Sequence, residues 1–227
     1  MRRHMAALAL AAFALCSSAH ASVTDFITNN SFEDVQIGSP FNSTNPLDVP
    51  GWTKVGPTGD ALLWAKGYHD GGGTVSVTAD GNQFVTLGCG ASSSSCGLTS
   101  WSQAFSLPAG SYTLQFAMAA ELFNSTQALN VALSGGASAS QSFSATGTVG
   151  VNYWADWQSK SLAFGANGAP VILTFSTNNL GFDVGLDNVH VLSAIPEPES
   201  YAMIMAGLGL MGFIARRRAG IKRRRDQ

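Results

Sequence analysis

Charge is what this chain has least of. Only 11% of its 227 residues are Asp, Glu, Lys or Arg, less than half of the roughly 25% usual in soluble proteins. The shortage is uneven. Between Ser22 and Ile195 stand three basic residues, Lys54, Lys66 and Lys160, against eleven carboxylates, a net charge of −8. Such a body has no basic patch to neutralise phosphates, which excludes nucleic acid as its partner. Histidine is confined to His4, His20, His69 and His190, and cysteine to Cys16, Cys89 and Cys96. No G-x-S-x-G, H-E-x-x-H or phosphate-binding P-loop occurs, so the commonest hydrolase, zinc-protease and nucleotide chemistries have no motif to stand on. Between Ser22 and Ser193 there is neither a sustained helical period nor an internal repeat. Ser, Thr, Asn and Gly supply the polarity instead, as suits an exported β-rich protein.

The missing basic residues are at the two ends. Arg2 and Arg3 precede an apolar run, Ala6–Cys16, and Ala19-His20-Ala21 follows with small residues at the positions a signal peptidase inspects. Residues 1–21 therefore read as a secretory signal cut after Ala21. At the other end, Pro196-Glu197-Pro198 lies in a linker over 194–200. An apolar segment over 201–215 follows, and then a basic tail over 216–227 that opens with Arg216, Arg217 and Arg218. Fifteen helical residues span about 22 Å, short of a ~30 Å hydrocarbon core. The segment is expected to cross a membrane once, with the bilayer thinned or its arginines snorkelling. The basic flank stays cytoplasmic and the body lies on the far side. Gly207-Leu208-Gly209-Leu210-Met211-Gly212 spells G-x-G-x-x-G, but without a preceding strand or a βαβ unit it reads as small residues in a helix.

This three-part tail resembles the PEP-CTERM sorting signal of Gram-negative bacteria. The resemblance implies that Pro196, Glu197 and Pro198 mark a substrate for exosortase, a membrane protease-transpeptidase. The body would then be released or attached at the cell surface or to an extracellular polymer.

The middle alternates with a period of two. Tyr112, Leu114, Phe116 and Met118 interleave with Thr113, Gln115 and Ala117. Leu129, Val131 and Leu133 behave likewise, as do Val171, Leu173 and Phe175, Leu162 with Phe164, Val85 with Leu87, and Val75 with Val77. Such alternation places one set of side chains on one face of a sheet. Pro108-Ala109-Gly110, Ser134-Gly135-Gly136 and Asn167-Gly168-Ala169-Pro170 read as turns between strands. The expected fold is all-β: residues 22–193 form one antiparallel β-sandwich. Cys89 and Cys96 flank a short serine-rich loop, and in an exported chain they are expected to close a disulfide. In the chain-entropy model it contributes roughly 2–3 kcal/mol. A redox-active thiol pair is disfavoured, since the spacing is not C-x-x-C and no basic neighbour lowers a thiol pKa.

Asn29-Asn30-Ser31-Phe32-Glu33, Pro50-Gly51-Trp52, Gly81–Leu87, Gly110–Phe116 and Gly185-Leu186-Asp187-Asn188-Val189 together resemble galactose-binding-like jelly-roll domains, including the DUF642 and choice-of-anchor groups. That resemblance implies a structural Ca²⁺ between the opening and closing motifs, with Glu33 and Asp187 as matching carboxylates, in keeping with the hard oxygen ligands calcium takes. Carbohydrate binding would draw on aromatic faces beside hydrogen-bonding groups. The candidates are Trp64 with Tyr68, His69 and Asp70, and Tyr153 and Trp154 with Asp156. The alternative for each cluster is an aromatic that anchors a loop or fills the core. His190 sits between Val189 and Val191 on an expected strand and reads as a satisfied strand histidine rather than a base. No enzyme is expected. The reading is an exported matrix or surface protein associating with extracellular polysaccharide, its processing partners being signal peptidase and exosortase. A purely structural biofilm or adhesion component and a secreted glycan-active enzyme are the alternatives.

Overall fold

A computed structural model describes residues 25–35, 37, 41–42, 49–55, 62–67, 77–88, 98–121, 126–147, 154–177, 183–193 and 205–212. The signal at 1–21, Cys89 and Cys96, Tyr68, Tyr153, Pro196-Glu197-Pro198 and Arg216, Arg217 and Arg218 lie outside the described residues. Thr24–Ala194 is one compact unit.

The period-two runs fold as strands, and every strand pairing described within this unit is antiparallel. The strands are β1 (Phe41–Asn42), β2 (Thr53–Val55), β3 (Leu63–Ala65), β4 (Gln83–Gly88), β5 (Thr99–Ser106), β6 (Gly110–Ala120), β7 (Thr126–Ala137), β8 (Ala139–Thr146), β9 (Gln158–Thr177) and β10 (Asp183–Ser193). Their order is β1-β3-β4-β10-β6-β9-β5-β2, with β7 bonded to β9 and β8 to β7. Strand β9 joins the two layers. Its first half pairs with β6, from Met118↔Gln158 to Gly110↔Ala166. Its second half pairs with β5 on one side and β7 on the other. The turn expected at Asn167–Pro170 is therefore not a chain reversal. Those residues carry one twenty-residue strand from one layer to the other. Gly135 and Gly136 make room for this passage. Gly135 has φ +79° and a Cβ there would lie 2.5 Å from the Pro170 carbonyl oxygen, while a Cβ on Gly136 would strike the Ala169 carbonyl oxygen. Glycine is the residue that tolerates both the positive φ and the close backbone. The residues expected to turn at Ser134–Gly136 instead lie within β7, where Ser134 and Gly135 pair with Ile172 and Val171 of β9; the β7–β8 reversal closes at the pair Leu133↔Ala139. Val77 lies outside the strands.

Between the layers, the inward members of each run pack as one core. Leu114, Phe116 and Met118 from β6 meet Leu129, Val131 and Leu133 from β7, Leu173 and Phe175 from β9, and Val184, Leu186, Val189 and Val191 from β10. A chain of rings runs through it. Phe175 lies 6.2 Å from Trp52 and 5.2 Å from Phe116, and Trp52 lies 5.2 Å from Phe32. Aromatic pairs at such separations add about 0.5–1.5 kcal/mol each beyond their area burial.

Beyond this unit the described residues form one helix, α1, at 205–212. It covers eight of the fifteen positions expected to cross a membrane at 201–215 and is about 12 Å long at ~1.5 Å per residue. Among the described residues no helix is long and apolar enough to cross a membrane. The G-x-G-x-x-G run at 207–212 lies wholly within α1, so it forms no strand-loop-helix phosphate cradle.

Candidate functional site

Two stretches of the sequence that look like loops with aromatics converge on one place. Trp64, on β3, and Trp154, just before β9, bring their ring centroids to 4.8 Å. Phe84 of β4 lies 5.3 Å from both Trp154 and Trp157. With Ala119 of β6 these residues form a second, smaller apolar cluster, separate from the main core. It forms because β4 has no exposed face: Val85 and Leu87 point into the sandwich, while Phe84 points outward beneath the tryptophans. Gly185 of β10 admits them, since a Cβ there would lie 2.9 Å from atoms of both Trp154 and Trp157. Trp154 is only 2% exposed and takes a left-handed φ of 46°, so its ring faces protein on all sides. Trp64 and Trp157 are half-buried and keep part of their rings at the surface. The Trp64 Nε1 donates to Thr86 Oγ1 and the Trp157 Nε1 to the Val77 carbonyl, which fixes both ring planes.

Further along the same outward face lies a cavity of about 290 Å³, at the lower end of the ~300–1,000 Å³ of small-molecule sites. Strand β6 contributes Gln115, with Phe116 beneath; β9 contributes Ser159, Lys160 and Ser161; β10 contributes Asn188 and His190. Register explains the grouping, because Gln115 is paired with Ser161 on one side and with His190 on the other. Gln115 and Ala119 share a face of β6 four residues apart, about 13 Å at ~3.3 Å per residue. The polar cavity and the aromatic cluster are thus neighbouring parts of one sheet face.

A bulge shapes the β10 wall. The β10–β6 register shifts between Asp187 and His190, Asn188 takes φ +53°, and Val189 N donates to the Asn30 carbonyl. His190 is held on both ring nitrogens. Nδ1 lies 2.6 Å from Asp25 Oδ2 and 3.0 Å from Asn30 Nδ2, and Nε2 lies 2.6 Å from Asn188 Oδ1. It is the satisfied strand histidine the sequence suggests.

Glu33 and Asp187 meet from two sides on the segment 79–83. Glu33 Oε1 accepts from Asn82 N (2.7 Å) and Gln83 N (2.6 Å). Asp187 Oδ2 accepts from Ala79 N and Asp80 N, both at 2.9 Å, and Oδ1 accepts from Asn188 N at 2.7 Å. Ser31 Oγ donates to Asp80 Oδ2, 2.7 Å away, closing the set. Burial pushes the Asp187 carboxyl up to about 7; the Asp80 charge adds to the rise, and the three N–H donors oppose it. Among the described residues no three His, Cys, Asp or Glu side chains form a group able to hold an ion. What this arrangement does by itself is close the opening motif onto the last strand. Both carboxylates are absorbed by backbone amides, a satisfied arrangement for buried acceptors.

The sequence pointed to Trp64 and Trp154 and overlooked their meeting place. It gave no role to Trp157 or to the Gln115–Ser161–His190 row. Residues from three strands become neighbours through register, and Gln115 and Ser161 carry no motif. The available signal was parity: Gln115 falls on the polar phase of β6.

Residues 194–218 match the PEP-CTERM protein-sorting motif. No curated protein matches the chain. Among solved structures, the body is similar to the carbohydrate-binding module TmCBM61 in complex with beta-1,4-galactotriose, at 16% identity and a TM-score of 0.51, covering 75% of this chain and 99% of that one. It is also similar to the K2 cleaved adhesin domain of Lys-gingipain, at 13% identity and a TM-score of 0.48, covering 74% and 99%. A third likeness is to an arabinose-bound α-L-arabinofuranosidase, MgGH51, at 13% identity and a TM-score of 0.48, covering 74% and 26%. The chain thus joins the sorting tail of an exported, exosortase-sorted protein to an antiparallel jelly-roll body with the fold of a carbohydrate-binding module.

Proposed function

We propose that the exported body associates with extracellular polysaccharide and does no chemistry on it. The observation that carries this reading is the sheet face itself. Two half-buried tryptophans, Trp64 and Trp157, stand beside a cavity rimmed by amide and hydroxyl groups. Sugar rings are recognised by that combination, with apolar ring faces against aromatics and hydroxyls on fixed donors and acceptors. Trp154 packs against the Trp64 ring, and Phe84 packs against Trp154 and Trp157. The non-catalytic part of the reading is supported by His190, whose ring nitrogens are both taken by protein partners and so are unavailable to a substrate. It is also supported by the binding of Glu33 and Asp187 carboxylates to backbone amides, since glycoside hydrolysis needs two carboxyl groups free to face the substrate.

The same reading places the protein outside the inner membrane after exosortase acts on Pro196-Glu197-Pro198, with the apolar segment and Arg216–Arg218 as the membrane stage of sorting. Structural calcium at Glu33 and Asp187 belongs to it as well. Its support is that the two carboxylates bracket the one segment 79–83, where calcium would have to share oxygens that accept from backbone amides. Glycan microarrays with the purified protein test the binding function. Saturable binding that falls when Trp64 or Trp157 becomes Ala supports it, and absence of binding to every polysaccharide refutes it. Melting in CaCl2 and in EDTA tests the metal: a rise in Tm with calcium supports it, and coincident curves refute it.

A further inference from the structure

We propose that β8 is a docking edge for a second copy of this chain, whose own β8 pairs with it antiparallel about a two-fold axis. This pairing goes beyond the polysaccharide reading and does not rest on it.

Strand β8 bonds to β7 on one side, and among the described residues no strand bonds to its other side. An open row of backbone N–H and C=O groups is a template for another strand. Proteins blunt such edges by shortness, by proline or by charge, an inward-pointing charge included. The other edges of this sandwich follow that rule. Strand β1 has two residues, and β2 has three, one of them Lys54. Among the described residues the first half of β9 bonds to β6 alone until Ala166 reaches Ala137. It carries Lys160 in register with the core residue Phe116, a charge on the inward phase. Strand β8 has none of these defences. It is eight residues long, and the whole β7–β8 hairpin, 126–146, holds no Asp, Glu, Lys, Arg or Pro.

The core is also left uncovered along this edge. The inward residues of β7, Leu129, Val131 and Leu133, are buried. On β8 the inward phase is not. Phe143, whose ring centroid lies 5.1 Å from that of Phe116, is only half-buried, and Gln141 two residues before it is exposed. A further strand beside β8 covers both. Charge selects a second copy as that strand. The body's net charge of −8 makes two copies repel over most of their surfaces, and at the uncharged hairpin they meet without that cost. Antiparallel β8–β8 pairing is isologous, so each copy offers the groups it receives. It also sets no like charges opposite one another. The two-fold axis of such a pair stands normal to the sheet. The outward faces of β4, β10, β6 and β9 in both copies then look the same way, as bivalent binding of one polymer requires.

The test is sedimentation equilibrium of the purified full-length protein as wild type, Gln141→Lys and Ser106→Lys, each checked by its melting temperature. Gln141→Lys gives β8 the inward-phase charge that β9 carries, while Ser106→Lys puts the same charge at an exposed position on β5. Each substitution lowers the net negative charge, so general repulsion does not explain a lost dimer. The expected result is a concentration-dependent dimer in wild type and Ser106→Lys, with dimerisation at least about tenfold weaker in Gln141→Lys. A wild type that stays monomeric at every concentration overturns the inference, and so does a dimer that Gln141→Lys leaves intact. If Gln141→Lys fails to fold, cross-linking decides. Ser142→Cys, in the middle of β8, should give a covalent dimer with a short bis-maleimide, read as a doubled mass on denaturing electrophoresis. No more cross-linked dimer than Ser106→Cys gives would overturn the pairing. Glycan binding is measured separately, so a monomer that still binds polysaccharide sinks this inference alone.

Discussion

Replacing Asp187 with Asn should remove one pH-dependent part of the stability and so reverse the order of wild type and variant between pH 4.5 and 8. Asp187 is fully buried and its carboxyl is pushed from the ordinary 3.8 up to about 7, chiefly by loss of water. The folded state therefore holds this proton more tightly than the unfolded state does. Stability from this group is fully present below about pH 4, declines as pH rises through 7, and is level above that. A rise from 3.8 to about 7, at ~1.36 kcal/mol per pH unit, corresponds to about 4 kcal/mol between those limits. Asn cannot ionise, so its slope vanishes. It has a cost of its own: one amide oxygen can still accept from Ala79 N and Asp80 N, but the amide nitrogen then faces Asn188 N, leaving that donor unpaired at about 1–3 kcal/mol. The two curves should cross. Wild type is the more stable near pH 4.5, and the variant equals or exceeds it near pH 8. Urea unfolding in EDTA at four or five pH values measures this directly, and other titrating groups cancel in the comparison. Parallel curves from pH 4.5 to 8.5 would show that the buried carboxyl is not strained by desolvation, and the reasoning would fail.

Gly81→Ala should destabilise by about 1–3 kcal/mol, because φ is +58° and the new Cβ would lie 2.5 Å from Glu33 Oε1. Gly67→Ala is the control, with φ +83° but nothing within 4 Å. It should cost about 1 kcal/mol, and equal losses by chemical denaturation would contradict the Glu33 clamp. Phe175→Ala removes a fully buried ring between Trp52 and Phe116 and should cost about 3–5 kcal/mol in urea unfolding; a loss under 1 kcal/mol would mean the two layers are not packed as described. Deleting 194–218 should abolish exosortase-dependent processing, read by cell fractionation and intact-mass measurement; unchanged processing and location would remove the sorting role of the motif.

Much of the fold was legible because period-two alternation is a local signal. Tyr112–Met118, Leu129–Leu133 and Val171–Phe175 each fall on one phase and each became the inward side of a strand. The single long β9 was not legible. Asn167-Gly168-Ala169-Pro170 carries the residues of a reversal, and only pairing with β5, β6 and β7 decides that the chain goes straight on. The site divides in the same way. Trp64 and Trp154 are conspicuous as residue types, but burial of one and partial exposure of the other depend on Phe84 and Gly185, which are distant in sequence. Glu33 and Asp187 were legible as a pair through the motifs that contain them. Their common target, the amides of 79–83, was not, because backbone donors leave no trace in composition.

The central claim is that the outward face of β4, β10, β6 and β9 binds polysaccharide. The most direct measurement is calorimetric titration of the full-length protein with the tightest polysaccharide from an array, repeated on Trp64→Ala and Trp157→Ala. The account predicts a saturable one-site isotherm weakened at least about tenfold by either substitution, as loss of an aromatic anchor does. Full affinity in both variants, or no saturable heat with any polysaccharide, would contradict it.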